Sequence, residues 1–188
     1  MKKWILFTII LFLAIYSIIA ENDKQVFMVY GDDFMVNVPL PNYWEVDMDF
    51  AYQNGINGFF YIKDYGIQKS PVGIILTLAE KPNDLTELQE YIDYDRNQLL
   101  NYYKDNNFNE ITLNNERTQK YGYKVMLYEF KNKSSLIHYQ NIAYIDCNAK
   151  YFIKLYIDCK DKKGSEKYIE DYIESIFGLN YMNIKLNQ

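Results

Sequence analysis

The chain of 188 residues contains one histidine, two cysteines, four prolines and eight glycines. A lone His138 leaves no second imidazole for a His-Glu-x-x-His zinc site, and no Gly-x-Ser-x-Gly elbow occurs. EF-hand spacing with its turn glycine is missing too. Two cysteines cannot build a disulfide framework and, without further ligands, make a poor metal site. No internal repeat or low-complexity linker divides the chain, which fits one domain with a real core. Positive charge is also in deficit: the net charge is −5, which argues against nucleic acid or an anionic membrane as a main partner. What is plentiful is apolar and aromatic. Hydrophobic residues make up 49%, which excludes a disordered chain. The 20 tyrosines, with abundant Asn, Lys and Ile, read as the bias of an AT-rich coding sequence rather than a special aromatic function.

The longest uncharged run is N-terminal. Lys2 and Lys3 precede Trp4–Ile19, and Ala20 is followed by the polar Glu21, Asn22, Asp23 and Lys24. A basic start, an apolar stretch and a small residue at the boundary describe a signal peptide over 1–20. Ile18 is a large residue three positions before that cut, and the run is long for a signal core. An uncleaved anchor is therefore the alternative. No cysteine near the boundary offers a lipidation site. Either way, the single domain expected over 21–188 lies outside the cytoplasm, in the periplasm or cell envelope. Membrane contact is expected only through the N-terminal segment, if that segment is retained.

The strongest strand signal is Leu136–Cys159, two long strands joined by a tight turn. Side chains alternate faces along a strand, so the register follows from keeping the apolar set together. With Asn148, Ala149 and Lys150 in the loop, Ile145 faces Ile153, Ala143 faces Leu155, Asn141 faces Ile157 and Tyr139 faces Cys159, giving one almost wholly apolar face. Asp146, Tyr144, Ile142 and Gln140 then face Phe152, Lys154, Tyr156 and Asp158 on an amphipathic one. This register places Cys147 at the turn and Cys159 at the open end. Eight positions of strand separate them by ~26 Å, far beyond the ~7 Å Cα limit for a bridge. Both are expected as buried free thiols.

Other elements follow from their patterns. Val26–Tyr30 and Phe34–Val38 read as strands around a Gly31-Asp32-Asp33 turn, with Pro39–Asn42 as a break. Glu45–Phe50 alternates strictly, predicting a strand with Val46, Met48 and Phe50 inward. Asn54-Gly55 marks a turn, Gly58–Lys63 a returning strand, 66–71 a loop, and Val72–Ala79 a central strand buried on both faces. Asp84, with Glu87 three residues on, caps a helix whose stripe is Leu85, Leu88, Ile92, Leu99 and Tyr103. That helix fades near 104–107. Short strands are expected at Ile111–Leu113 and Val125–Phe130, with a turn over 131–134. Ser165 opens a final helix burying Tyr168, Ile169, Tyr172, Ile173, Ile176 and Phe177, and Gly178 stops it. The tail Tyr181–Gln188 has no evident partner.

The motifs in this order are Val38-Pro39-Leu40-Pro41-Asn42-Tyr43-Trp44, then Leu85-Thr86-Glu87-Leu88, then Ile173-Glu174-Ser175-Ile176-Phe177. Together with the element order over Phe34–Leu179, they resemble the PsbP/Mog1/DcrB-like superfamily. The resemblance implies an α+β fold: an α/β/α sandwich with a central, mainly antiparallel sheet flanked by helices. It also implies an accessory or binding protein, since members include photosystem extrinsic subunits, a Ran-binding import factor and envelope lipoproteins. They share no catalytic motif, so no functional residue carries over, and no cofactor is implied.

Three groups of side chains are candidates for chemistry. Glu45, Asp47 and Asp49 are hard oxygen ligands on one predicted strand face. Neighbours there sit ~6.5–7 Å apart, so a shared Ca²⁺ would need help from a loop. Otherwise they are a solvated face that discourages edge pairing. His138 would need a nucleophile or an orienting carboxylate to act as a base. Tyr91, Tyr94 and Tyr102, near Asp93 and Asp95, could stack against a partner or simply cover the sheet. The expectation is a non-enzymatic accessory or binding protein of the bacterial envelope, acting through contacts with an unknown protein. A metal-dependent or hydrolytic enzyme using the acidic strand or His138 is the alternative.

Overall fold

The structure, a computed structural model, describes residues 24–81, 87–102, 106–111, 123–132 and 139–184. Its backbone is a seven-stranded antiparallel sheet in the order β3-β4-β5-β9-β8-β7-β6. The strands are β3 (Trp44–Val46), β4 (Gly58–Ile62), β5 (Val72–Glu80), β6 (Asn106–Ile111), β7 (Lys124–Asn132), β8 (Tyr139–Asp146) and β9 (Tyr151–Cys159). A second sheet of three strands runs β1 (Lys24–Tyr30), β2 (Phe34–Pro41) and β10 (Asn180–Asn183). Four helices occur among the described residues: α1 (Met48–Gln53), α2 (Gly66–Lys69), α3 (Leu88–Tyr102) and α4 (Lys162–Gly178).

The β8–β9 hairpin has the register derived from parity, from Tyr139 opposite Cys159 to Asp146 opposite Phe152. Its apolar face, Ala143, Ile145, Ile153, Leu155 and Ile157, is fully buried. Above that face lie the three-stranded sheet, through Val29, Phe34, Val36, Val38 and Leu40, and helix α4, through Tyr168, Tyr172 and Ile176. The opposite face carries Tyr128, Phe130, Ile142, Tyr144 and Phe152, against which α3 sets Leu88 and Ile92. The sandwich is thus α+β as expected, with a small sheet sharing one outer layer with α4. Both cysteines are free; Cys159 is buried and Cys147 half-buried rather than wholly inside.

Several expected boundaries move for identifiable reasons. β2 continues through Pro39 and Pro41, because β10 pairs only with Phe34–Asn37 and leaves the rest of that edge without a donor requirement. Glu45–Phe50 is not one strand: Asp47 accepts a 2.7 Å hydrogen bond from the Phe50 N–H and caps α1, so capping overrides the alternation. Residues 66–71 hold the short helix α2 after a 3₁₀ turn at Lys63–Tyr65. Asp161, not Ser165, caps α4, accepting from the Gly164 N–H at 2.7 Å. Gly178 ends that helix against Pro39, where a Cβ would come within 2.4 Å of the ring, so it serves close approach and not a left-handed turn. The tail finds a partner after all, as β10. β6 begins at Asn106, ahead of the expected start. Asp84, Leu85 and Tyr103 lie outside the described residues.

Candidate binding surface

Among the described residues, helix α3 packs on the β7–β8–β9 half of its sheet face. It is fixed there by Asp95, which accepts from the Tyr144 hydroxyl at 2.5 Å and pairs with Lys154 Nζ at 2.7 Å. On the β3–β4–β5 half the same face carries, among the described residues, the short helices α1 and α2. The sequence Gly58-Phe59-Phe60-Tyr61 explains what is left showing. Alternation buries Phe60 completely and turns Phe59 and Tyr61 to the other side, where both are half-buried. Phe50 of α1 packs on Phe59 with ring centroids 4.6 Å apart, and Phe59 stacks with Tyr61 at 6.4 Å. Gly73 of β5 lies beneath; a Cβ there would meet the Phe59 ring at 2.9 Å, so the missing side chain lets the ring lie on the strand.

Beside this shelf is a shallow cleft of about 170 Å³, lined by Phe59, Ile67, Gln68, Ile75, Asp158 and Lys160 among others. Its lining is mainly apolar and includes one charge of each sign, Asp158 and Lys160. Ser70 at the edge accepts from the Ile62 N–H at 3.1 Å and donates to the Val72 carbonyl at 2.5 Å, so its hydroxyl is engaged in holding the loop. The arrangement suits contact with an apolar or aromatic group flanked by polar ones.

The sequence candidates are dispersed by the fold. Glu45 sits on β3 and accepts from the Tyr61 hydroxyl at 2.8 Å, which, with burial, pushes that phenol up to about 12. Asp47 is the α1 cap and Asp49 lies in the first helical turn, so the three carboxylates do not share a strand face. Among the described residues no three His, Cys, Asp or Glu side chains gather as a metal-holding group. His138 lies outside the described residues, and so does the Tyr102 side chain. Tyr91 is turned inward, stacked on Phe152 at 5.1 Å and edge-on to Tyr144 at 5.9 Å, whereas Tyr94 points out and is 55% exposed. Sequence reasoning missed Phe50, Phe59, Tyr61 and Ile75 as a group. Their signal was a strand apolar on both faces, which requires a cover on each side, next to a stretch with only short helices to supply one.

No family model matches the sequence, and no curated protein matches it. Solved structures do align. CyanoP, the cyanobacterial PsbP of Synechocystis, superposes with a TM-score of 0.57 at 10% identity, over 85% of this chain and 93% of its own. The chain has the PsbP-like fold. LpqN, involved in cell envelope biogenesis of Mycobacterium tuberculosis, superposes with a TM-score of 0.54 at 13% identity, over 88% and 94%. The Saccharomyces cerevisiae Ran-binding protein Mog1p aligns with a TM-score of 0.47 at 13% identity, over 82% and 89%. The superfamily resemblance drawn from the motifs therefore holds at the level of the fold, where these low identities leave it.

Proposed function

We propose that the protein is an exported, non-enzymatic binding domain of the cell envelope, which engages a protein partner through the Phe50–Phe59–Tyr61 shelf and the cleft beside it. The observation that carries this reading is the half-covered sheet face. Among the described residues a long helix covers one half, while the other presents stacked rings beside a shallow cleft whose lining includes Asp158 and Lys160. Aromatic groups that are rigidly backed and partly open are the side chains that dominate protein contacts. The structural similarity to an envelope-biogenesis protein, LpqN, supports the compartment.

The reading is tested by co-purification from the native cells with the parent chain and with Phe59→Ala plus Tyr61→Ala. A discrete partner retained by the parent and by an α4 surface control, Glu170→Ala, but lost with the double variant, is the expected result. A partner held equally by all three proteins contradicts it.

A further inference from the structure

The outer face of the three-stranded sheet carries large apolar side chains along β1, with Asn37 and Asn180 beside them. Alternation along β1 sends Phe27 and Val29 inward, Phe27 edge-on to Phe60 at 5.4 Å, and leaves Val26, Met28 and Tyr30 outward at 56%, 62% and 74% exposure. The register extends this face to Met35, opposite Tyr30, and to Met182, opposite Met35. Edge strands that face water are normally protected by charge. In β1 only Lys24 is charged, at the first position, where it pairs with Glu174 at 2.6 Å. Three large apolar side chains in a row on one strand face therefore call for a cover.

The sequence just before β1 supplies one. Four residues, Ala20–Asp23, separate the uncharged run Trp4–Ile19 from Lys24, and they reach ~14 Å at full extension. The sixteen residues of that run are fewer than the ~20 apolar residues that a bilayer-spanning segment needs. A segment that short draws its flanks toward the interface. We propose that the run stays attached as an anchor and that Val26, Met28 and Tyr30 rest on the lipid bilayer it enters, with the Tyr30 ring at headgroup level. Ile18 at the third position before the cut favours the same outcome over processing. The aromatic shelf lies on the far side of the large sheet, so the domain would sit on the membrane with its binding face outward. This inference does not depend on the reading of the shelf.

Two measurements test it. The intact mass of the protein isolated from its own cells is expected to include residues 1–20; a chain starting at Glu21 overturns the proposal. The full chain is then reconstituted in phosphatidylcholine vesicles with and without brominated acyl chains, which quench nearby indoles. Met28→Trp in a Trp4→Phe background places one exposed indole on the face, because Trp44 is 1% exposed. Loss of most of the position-28 emission in brominated lipid is expected. Tyr52→Trp in the same background, at an 87% exposed position on α1, is expected to lose none. Equal quenching at both positions, or none at position 28, overturns the proposal. So does shielding of position 28 in detergent that grows with protein concentration, which would show a second copy on this face. Both substitutions replace exposed side chains, and circular dichroism checks that the fold is kept.

Discussion

Asp47 holds the start of α1 through one hydrogen bond to the Phe50 N–H, so Asp47→Ala is expected to cost ~1 kcal/mol in urea unfolding. Glu45→Gln keeps an acceptor for the Tyr61 hydroxyl and is expected to cost less. Because the acidic side chains serve these separate tasks, adding Ca²⁺ is expected to leave the melting temperature of the parent unchanged; a rise would restore the metal reading. The thiols offer a pH test. Burial pushes Cys147 and Cys159 up to about 12 from 9.0. A raised folded value means that the neutral thiol is the form the fold favours. Its contribution is complete below pH 9 and is lost as pH climbs toward 12. Tyr61 adds to the same limb from pH 10, its phenol held up by Glu45. The melting temperature is therefore expected to fall between pH 9 and 12, and a flat profile there contradicts the burial of these groups. Native thiols should also react with a disulfide reagent at pH 8 far more slowly than in urea.

At the scale of elements, a carboxylate on each of α3 and α4 ties that helix to the large sheet. Asp95 binds Tyr144 and Lys154, both largely buried, so Asp95→Ala strands a cation and is expected to cost ~3 kcal/mol. Hydrogen exchange should accelerate in α3 first. Asp171 of α4 accepts from Trp44 Nε1 at 3.0 Å and from the Tyr43 hydroxyl, joining α4 to the Pro-Asn-Tyr-Trp segment. Gly178→Ala is expected to destabilise by ~1–3 kcal/mol through the Pro39 clash. This scale also shows what the sequence could reveal. The β8–β9 register was legible because one parity alone gathers Ile145, Ile153 and Leu155 on a face. The Glu45–Phe50 segment was not, since a two-residue period and a capped six-residue helix share the same letters, and only the Asp47 hydrogen bond decides. The role of 181–183 depended on β2 having an unpaired edge, a long-range fact with no local signature.

At the scale of the molecule, the two faces of the large sheet are unequal. One is sealed by α4 and the small sheet, while the other is sealed by α3 over half its width. The candidate surface could not be read from sequence for that reason. Phe59 and Tyr61 look like ordinary strand aromatics until the reach of α3 is known. Their partial exposure follows from a helix that packs over β7–β9, beyond which the described residues place α1 and α2. The most direct test places a photo-cross-linking amino acid at position 61, at position 94 on the outward side of α3, and at position 170 on α4, each in the native cells. A discrete protein adduct at position 61, with none at 170, is the predicted result. Adducts only at position 94, or none at position 61, would contradict the assignment of the half-covered face as the binding surface.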